Sequence, residues 1–286
     1  MLTKERKKDI RILAEKIRLE TLKSILCFGA GHIGGSLSIV ETLAVLYGEV
    51  MNYDPGDLKK EDRDRFVLSK GHAGPALYST LALCGCFPIE DLKSLNQPGT
   101  NLPSHCDMNK TPGIDMSSGS LGQGLSVALG MAMASRVLNL DFHVYAMIGD
   151  GECNEGQIWE AVLMAAHHNE DRLIAFLDRN MMQLDGTTED ICKLGDMGQK
   201  FKDFGWNVEQ ANGHDIDEIY QAIVEAKSCE GKPSIIILDT IKGLGAEFAV
   251  GTYLNHYMRI DTEDDRKQWE TAIAEAEQNV SKAESE

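Results

Sequence analysis

Apolar residues recur at Ile10, Leu13, Ala14 and Ile17, a spacing that puts one stripe on a helix, which Gly29 and Gly31 bring to an end. Ser38 followed by Glu41 reads as a capping box opening a second helix through Tyr47. A polar stretch from Asp54 to Asp64 leads into a short apolar run, Phe66–Leu68. A helix from near Pro75 to Gly85 follows it. From Pro98 to Gly113 there is no periodicity, which predicts a long loop, and long loops in compact domains are usually functional. The rhythm then becomes regular. Helices over 120–137, 157–168, 197–204 and 216–227 precede strands over 143–148, 173–177, 206–209 and 234–238. Such alternation predicts an α/β fold, a parallel sheet with helices on both faces. No linker or repeat divides residues 1–286, so one domain is expected, with an acidic, alanine-rich tail after Trp269.

The composition narrows the class. Hydrophobic residues make up 43% of the 286, enough for a substantial core and against wholesale disorder. A net charge of −17 argues against nucleic acid or an anionic membrane as partner, since each would meet a field of like sign. The purest apolar stretch, Ile235–Leu238, is strand-sized and far short of a membrane span. The charged N-terminus is unlike a signal peptide, and seven cysteines without a CxxC suit reduced thiols. A soluble, cytoplasmic protein is expected.

Ligands of open parallel sheets bind beyond the carboxyl ends of the strands. The strand His143–Ile148 runs into Gly149-Asp150-Gly151, and Leu173–Leu177 runs into Asp178-Arg179-Asn180. Taken singly, the first is a turn and Asn180 a helix cap. Their separation is one βαβ unit, however, so neighbouring strands would bring Asp150 and Asn180 to one edge. Two oxygen donors there suit a hard cation such as magnesium, completed by phosphate oxygens and water. The flanking glycines would let a diphosphate approach the backbone.

That spacing resembles the cofactor signature of thiamine-diphosphate enzymes, and other segments resemble the transketolases. Gly31-His32-Ile33-Gly34-Gly35-Ser36-Leu37-Ser38, Leu68-Ser69-Lys70-Gly71-His72-Ala73 and Pro103-Ser104-His105 are similar to the family's three histidine segments. Ser118-Gly119-Ser120-Leu121-Gly122-Gln123-Gly124-Leu125, the run from Gly149 to Ala161, and Asp239-Thr240-Ile241-Lys242-Gly243 match in order. The resemblance covers nearly the whole chain and implies the thiamine-diphosphate-binding fold. It also implies thiamine diphosphate with magnesium or calcium as cofactors, and transfer of a two-carbon ketol unit from a ketose, often a sugar phosphate, to an aldose.

Residue by residue, the resemblance implies metal ligation by the side chains of Asp150 and Asn180 and by the backbone carbonyl of Met182. It places His72, Gly119, Leu121, Gly149, Asp150, Gly151, Glu155, Asn180 and His256 at the cofactor. His32, His72, His105 and His256 become the catalytic histidines, with an imidazole pKa near 6.5 suited to proton exchange. At His256, Asn255 and Tyr257 replace the family's usual neighbours. Glu155 and Glu160 match glutamates of a dimer interface, where exposed Leu, Met and Trp159 are also expected. His143, His167 and His168 are expected to be structural.

Complete transketolases are more than twice this length. The resemblance therefore implies a split enzyme: a partner subunit would carry the glutamate that activates the cofactor, in an assembly of two copies of each chain. Two alternatives stay open from sequence, a subunit like the α chain of 2-oxoacid dehydrogenases and a non-catalytic cofactor-binding subunit.

Overall fold

The computed structural model describes residues 1–286. The chain opens with α1 (Lys4–Phe28), whose first turn is capped by Thr3 and whose last turn closes on Gly29. A two-residue strand β1 (Ala30–Gly31) leads to two short helices, α2 (Ile33–Leu37) and α3 (Val40–Val45). Strand β2 (Arg65–Leu68) and α4 (Gly74–Leu83) follow. After the irregular segment come α5 (Gln123–Val137), β3 (Val144–Gly149), α6 (Gly156–His167) and β4 (Leu173–Arg179). The remaining elements are α7 (Thr188–Ile191), α8 (Met197–Asp203), β5 (Asn207–Asn212), α9 (Ile216–Ser228), β6 (Ser234–Asp239), β7 (Met258–Arg259) and α10 (Glu263–Ser285).

Five strands form one parallel sheet in the order β2-β3-β4-β6-β5, while β1 and β7 pair antiparallel elsewhere. Side chains alternate across the sheet, as the pleat requires. Tyr145, Met147, Ile174, Phe176, Ile236 and Leu238 join a core built with α1, α3, α4, α9 and α10. Val144, Ala146, Ile148, Leu173, Ala175, Leu177, Ile235 and Ile237 join a second core with α5, α6 and α8. Both faces are covered, so the strands read as unbroken apolar runs in sequence.

Three expectations are corrected. Ser38 and Glu41 form no capping box: Ser38 ends α2, and α3 begins at Val40 without a side-chain cap. Both side chains are buried and bonded elsewhere, Ser38 to Asp178 and Glu41 to Arg18. The helix expected from Ser120 begins at Gln123, because the preceding residues form an irregular loop. The acidic, alanine-rich region after Trp269 makes up most of α10, opened by a capping box of Thr262 and Asp265. Trp269, Ala272 and Ala276 are buried, and ion pairs from Lys23 to Glu277 (3.0 Å) and Lys16 to Glu284 (2.7 Å) show that α10 runs antiparallel to α1. Trp159 is half-buried rather than exposed, stacked on Phe204 with its indole N–H on the Cys153 carbonyl. Leu163 and Met164 on the same helix are exposed as expected. All seven cysteines are free thiols. No helix is long and apolar enough to cross a membrane.

Candidate active site

Strands β3 and β4 are neighbours, with Gly149 paired to Asp178, so the loops after them leave the same edge side by side. Asp150 is buried, its Oδ1 accepting from the Gly151 amide at 2.7 Å and its Oδ2 from the Met181 amide at 2.6 Å. Met181 has φ +61°, a left-handed conformation rare outside glycine and often found at functional sites. That local turn aims its N–H at Asp150. Asn180 donates from Nδ2 to Asp178 at 2.9 Å, and its Oδ1 accepts from the Met182 amide at 3.1 Å.

Asp178 is the centre of a buried polar network. It is fully buried and receives Lys70, the hydroxyls of Ser38 (2.7 Å) and Thr240, and the Asn180 amide. Burial alone would raise its carboxyl pKa, but Lys70, Thr240 and Ser38 together hold it below the usual carboxylate range. Asp150 has no such cation. Burial, then the neighbouring Asp178 charge, pushes its pKa up to about 7. A carboxylate in this position calls for a cation.

A cleft of about 290 Å³ lies over these groups, lined among others by Lys70, His72, Leu121, Gly149, Asp150, Gly151, Glu155, Asn180, Met182, Lys242 and His256. Lys242 is buried and its ammonium has no hydrogen bond or ion pair within the chain; burial, then Lys70, lowers its pKa to about 8. Gln183 also lines the cleft, and its Nε2 is a buried donor without an acceptor. Gly35 lets the chain pass close to His72, since a Cβ there would lie 3.0 Å from Nε2. Glu152, which no pattern in the sequence singles out, joins three loops: its carboxylate accepts from Ser69, Gly122 (2.8 Å) and Gly149 (3.0 Å).

The four expected histidines meet at the cleft. The His32 ring lies 5.4 Å from His72, 5.4 Å from His105 and 5.3 Å from His256, and His72 lies 4.9 Å from His256. Tyr257 packs edge-on against His32 at 4.8 Å, and Gly119 lies against His105. Their protonation differs from the expectation of a pKa near 6.5. Burial, then His256 and His105, lowers His32 to about 3. Burial, then Lys242 and Lys70, lowers His256 to about 4. Burial also takes His72 well below the ordinary value and lowers His105. The cluster is therefore neutral near pH 7, able to accept or share a proton but carrying no charge. Glu155 is exposed at the cleft wall, Glu160 is exposed on α6, and His143, His167 and His168 lie away from the cluster.

The segments holding Lys70, Lys242 and Asp178 stand out in the sequence, but the roles of these three residues do not. Lysines inside motifs that must meet an anion in an acidic chain were the available signal. His214 gave none, being one polar residue in a turn, yet its ring is mostly buried and bonded to Glu41.

The arrangement defines a class of site: a cleft at the carboxyl edge of a parallel sheet, with hard oxygen donors, an unpaired lysine and neutral imidazoles. The family model described as "Transketolase, thiamine diphosphate binding domain" matches residues 10–281, so the chain belongs to the transketolase family. It is 52% identical over 273 residues to the 6-deoxy-6-sulfo-D-fructose transketolase subunit SqwG of Clostridium sp. (strain MSTE9), covering 96% of this chain and 98% of that protein. It is 36% identical to a subunit of the apulose-4-phosphate transketolase of Phocaeicola vulgatus, covering 97% of each chain. Among solved structures, transketolase from Leishmania mexicana superposes with a TM-score of 0.84 at 30% identity, over 96% of this chain and 46% of that one. The chain thus spans about half the length of the solved transketolases it matches.

Family membership brings thiamine diphosphate and a divalent metal as cofactors, and the residues fit them. Asp150 lacks a cation, the Lys242 ammonium and Gln183 Nε2 lack acceptors, and all three face one cleft. No cluster of three His, Cys, Asp or Glu side chains could hold a metal unaided. That suits an ion completed by a backbone carbonyl, diphosphate oxygens and water.

Proposed function

We propose that this chain is the diphosphate-binding subunit of a two-chain transketolase, with Asp150, Asn180 and the Met182 carbonyl holding magnesium or calcium. The observation that carries this reading is the unpaired Lys242 ammonium facing the Asp150–Asn180 edge across one cleft. Thiamine diphosphate, when bound, supplies the carbon nucleophile that takes a two-carbon ketol unit from a ketose and delivers it to an aldose.

The chain's own residues then divide the work. Lys242 and the Gly149–Gly151 turn bind the diphosphate, with His72, Gly119, Leu121, Glu155 and His256 lining the cofactor's path. His32, His72, His105 and His256 orient sugar hydroxyls and hold or release a proton at an imidazole nitrogen. Their low pKa values keep them neutral, so they act as hydrogen-bond partners rather than cations.

A partner subunit completes the site and supplies the activating glutamate, with two copies of each chain. Support comes from the relatives named as subunits, which this chain covers at full length, and from the apolar rim of the cleft. Ile241, Tyr253, Leu254, Tyr257, Met181 and Leu184 are exposed there. Patches of this kind mark interaction sites. The substrate class is a ketose with an acidic terminal group, sulfonate or phosphate, as the names of the two relatives suggest, a class that includes the pentose phosphates. The setting is the cytoplasm.

Mixing the chain with its partner subunit in thiamine diphosphate and magnesium tests the reading. Ketol transfer should appear only on mixing, and robust turnover by this chain alone would overturn the split assignment.

A further inference from the structure

The loop after β6 carries Lys242, and its backbone is held from below by side chains outside the cleft. His214, in the turn before α9, accepts at Nε2 from the Ile241 amide at 2.8 Å. Its Nδ1 meets Glu41 Oε2 of α3 at 3.1 Å. With Nε2 accepting, the ring proton belongs on Nδ1, where the carboxylate receives it. The other oxygen of Glu41 pairs with Arg18 of α1, and Arg18 in turn donates to the Leu244 carbonyl at 2.7 Å. Gly245 sits at φ +96° directly on that guanidinium, where a Cβ would lie 2.5 Å from Arg18 Cδ. The loop is therefore gripped by one N–H and one carbonyl on either side of Lys242, beside two further ties, the Gly243 amide on the Gly34 carbonyl at 3.2 Å and Asn255 Nδ2 on the Lys242 carbonyl at 3.3 Å.

Glu41 and Arg18 are nearly buried, and the pair is satisfied from both ends. Burial raises the Glu41 carboxyl, but Arg18 and His214 more than offset it and keep the group ionised. A buried ion pair adds little net stability, because desolvation consumes most of the Coulombic gain. Its effect here is on geometry. Lys242 is a long side chain with no hydrogen-bonding or ionic partner of its own within the protein, so the position of its ammonium depends on its packing and on where the loop backbone starts its stem.

We propose that Glu41, His214 and Arg18 are positioning residues that fix the 241–245 backbone and thereby hold the Lys242 ammonium in the cleft for the cofactor's diphosphate. The inference rests on the cofactor reading above, and goes beyond it in assigning work to three residues that touch neither cofactor nor substrate. A carboxylate behind a histidine behind a ligand-bearing loop is analogous to outer-shell support around metal sites, where loss of the support weakens metal binding by ~10–100-fold.

The test is a double-mutant cycle on the enzyme assembled with its partner subunit, reading thiamine diphosphate affinity in magnesium by titration calorimetry. His214→Ala should weaken binding ~10–100-fold. The Lys242→Ala variant should be weak as well, and His214→Ala added to it should change little, since both act through one ammonium. Hydrogen exchange at residues 241–245 should quicken in His214→Ala, and His214→Gln, which restores an acceptor for Ile241, should recover part of the loss. Losses that add in full, or a folded His214→Ala with unchanged affinity, would overturn the positioning role while leaving the cofactor reading intact. A parent enzyme without metal-dependent binding would take down both. Should His214→Ala fail to assemble, Arg18→Lys carries the same cycle: it keeps a charge on Glu41 but cannot also reach Leu244.

Discussion

Two regions of this molecule are held together by opposite means. Where α10 lies along α1, Trp269, Ala272 and Ala276 are buried with Ile10, Ala14 and Ile17, and the charges stay outside in surface pairs. At the carboxyl edge of the sheet the pattern inverts. Lys70 and Asp178 are paired at almost zero exposure, Asp150 is buried beside them without a cation, and Lys242 is buried without an anion. The first region stabilises the fold by removing apolar area from water. The second carries charges whose desolvation opposes folding, a cost that the proposed binding role would explain. A site is recognisable here as the place where the rules of a core are broken in a coordinated way.

That contrast can be broken most directly in its two centres. Trp269→Ala should destabilise the chain by ~3–5 kcal/mol, as for other large buried side chains. Cofactor affinity in the folded enzyme should be unchanged, and chemical denaturation with calorimetry reads both. Lys70→Met should cost about as much, ~3–5 kcal/mol, by stranding the Asp178 carboxylate. Here, however, a second change, Asp178→Leu, should recover much of the stability by removing the stranded charge. If Lys70→Met alone leaves stability intact, the buried pair does not exist as described.

Asp150→Ala should behave in the opposite sense to Trp269→Ala. It removes an unfavourably buried carboxyl, so the fold should survive, while metal-dependent cofactor affinity falls by at least ~2–3 kcal/mol. His105→Ala should lower turnover and spare cofactor binding, because its ring lies on the His32 side of the cluster and not along the diphosphate wall.

The histidine cluster makes a smaller, pH-dependent contribution. His32 and His256 fall from 6.5 to about 3 and about 4 on folding, so the folded state disfavours their protonation. Their contribution is fully present above pH 6.5 and is lost as pH falls through about 4 for His256 and about 3 for His32. Thermal melts of the cofactor-free chain should therefore weaken between these limits, and His32→Gln/His256→Gln should flatten that slope. Smallest of all is the surface: Lys23→Ala, which breaks a pair with Glu277, should change stability by less than ~1 kcal/mol.

The same contrast explains what could be read from sequence. The apolar strands and the meeting of Asp150 and Asn180 at one sheet edge were legible, because buried parallel strands are continuous apolar runs and the strand-end motifs sit one βαβ unit apart. Ser38 and Glu41 were misread because local spacing fits a helix cap, whereas their partners, Asp178 and Arg18, lie 140 and 23 residues away. The few apolar residues of the acidic stretch around Trp269 form a narrow stripe, enough to seat a helix on α1. The structure brings the four histidines together, but their neutral state depends on burial and on one another, and sequence carries neither.

The central claim is that Asp150, Asn180 and Lys242 form one receptor for a metal diphosphate. Titrating thiamine diphosphate into the enzyme assembled with its partner subunit, with magnesium and then with excess chelator, tests it most directly. Saturable binding that requires the metal, and that Asp150→Ala abolishes or cuts by ~30-fold or more, is the predicted result. Equal affinity with and without metal, or binding by Asp150→Ala as tight as by the parent enzyme, would contradict it.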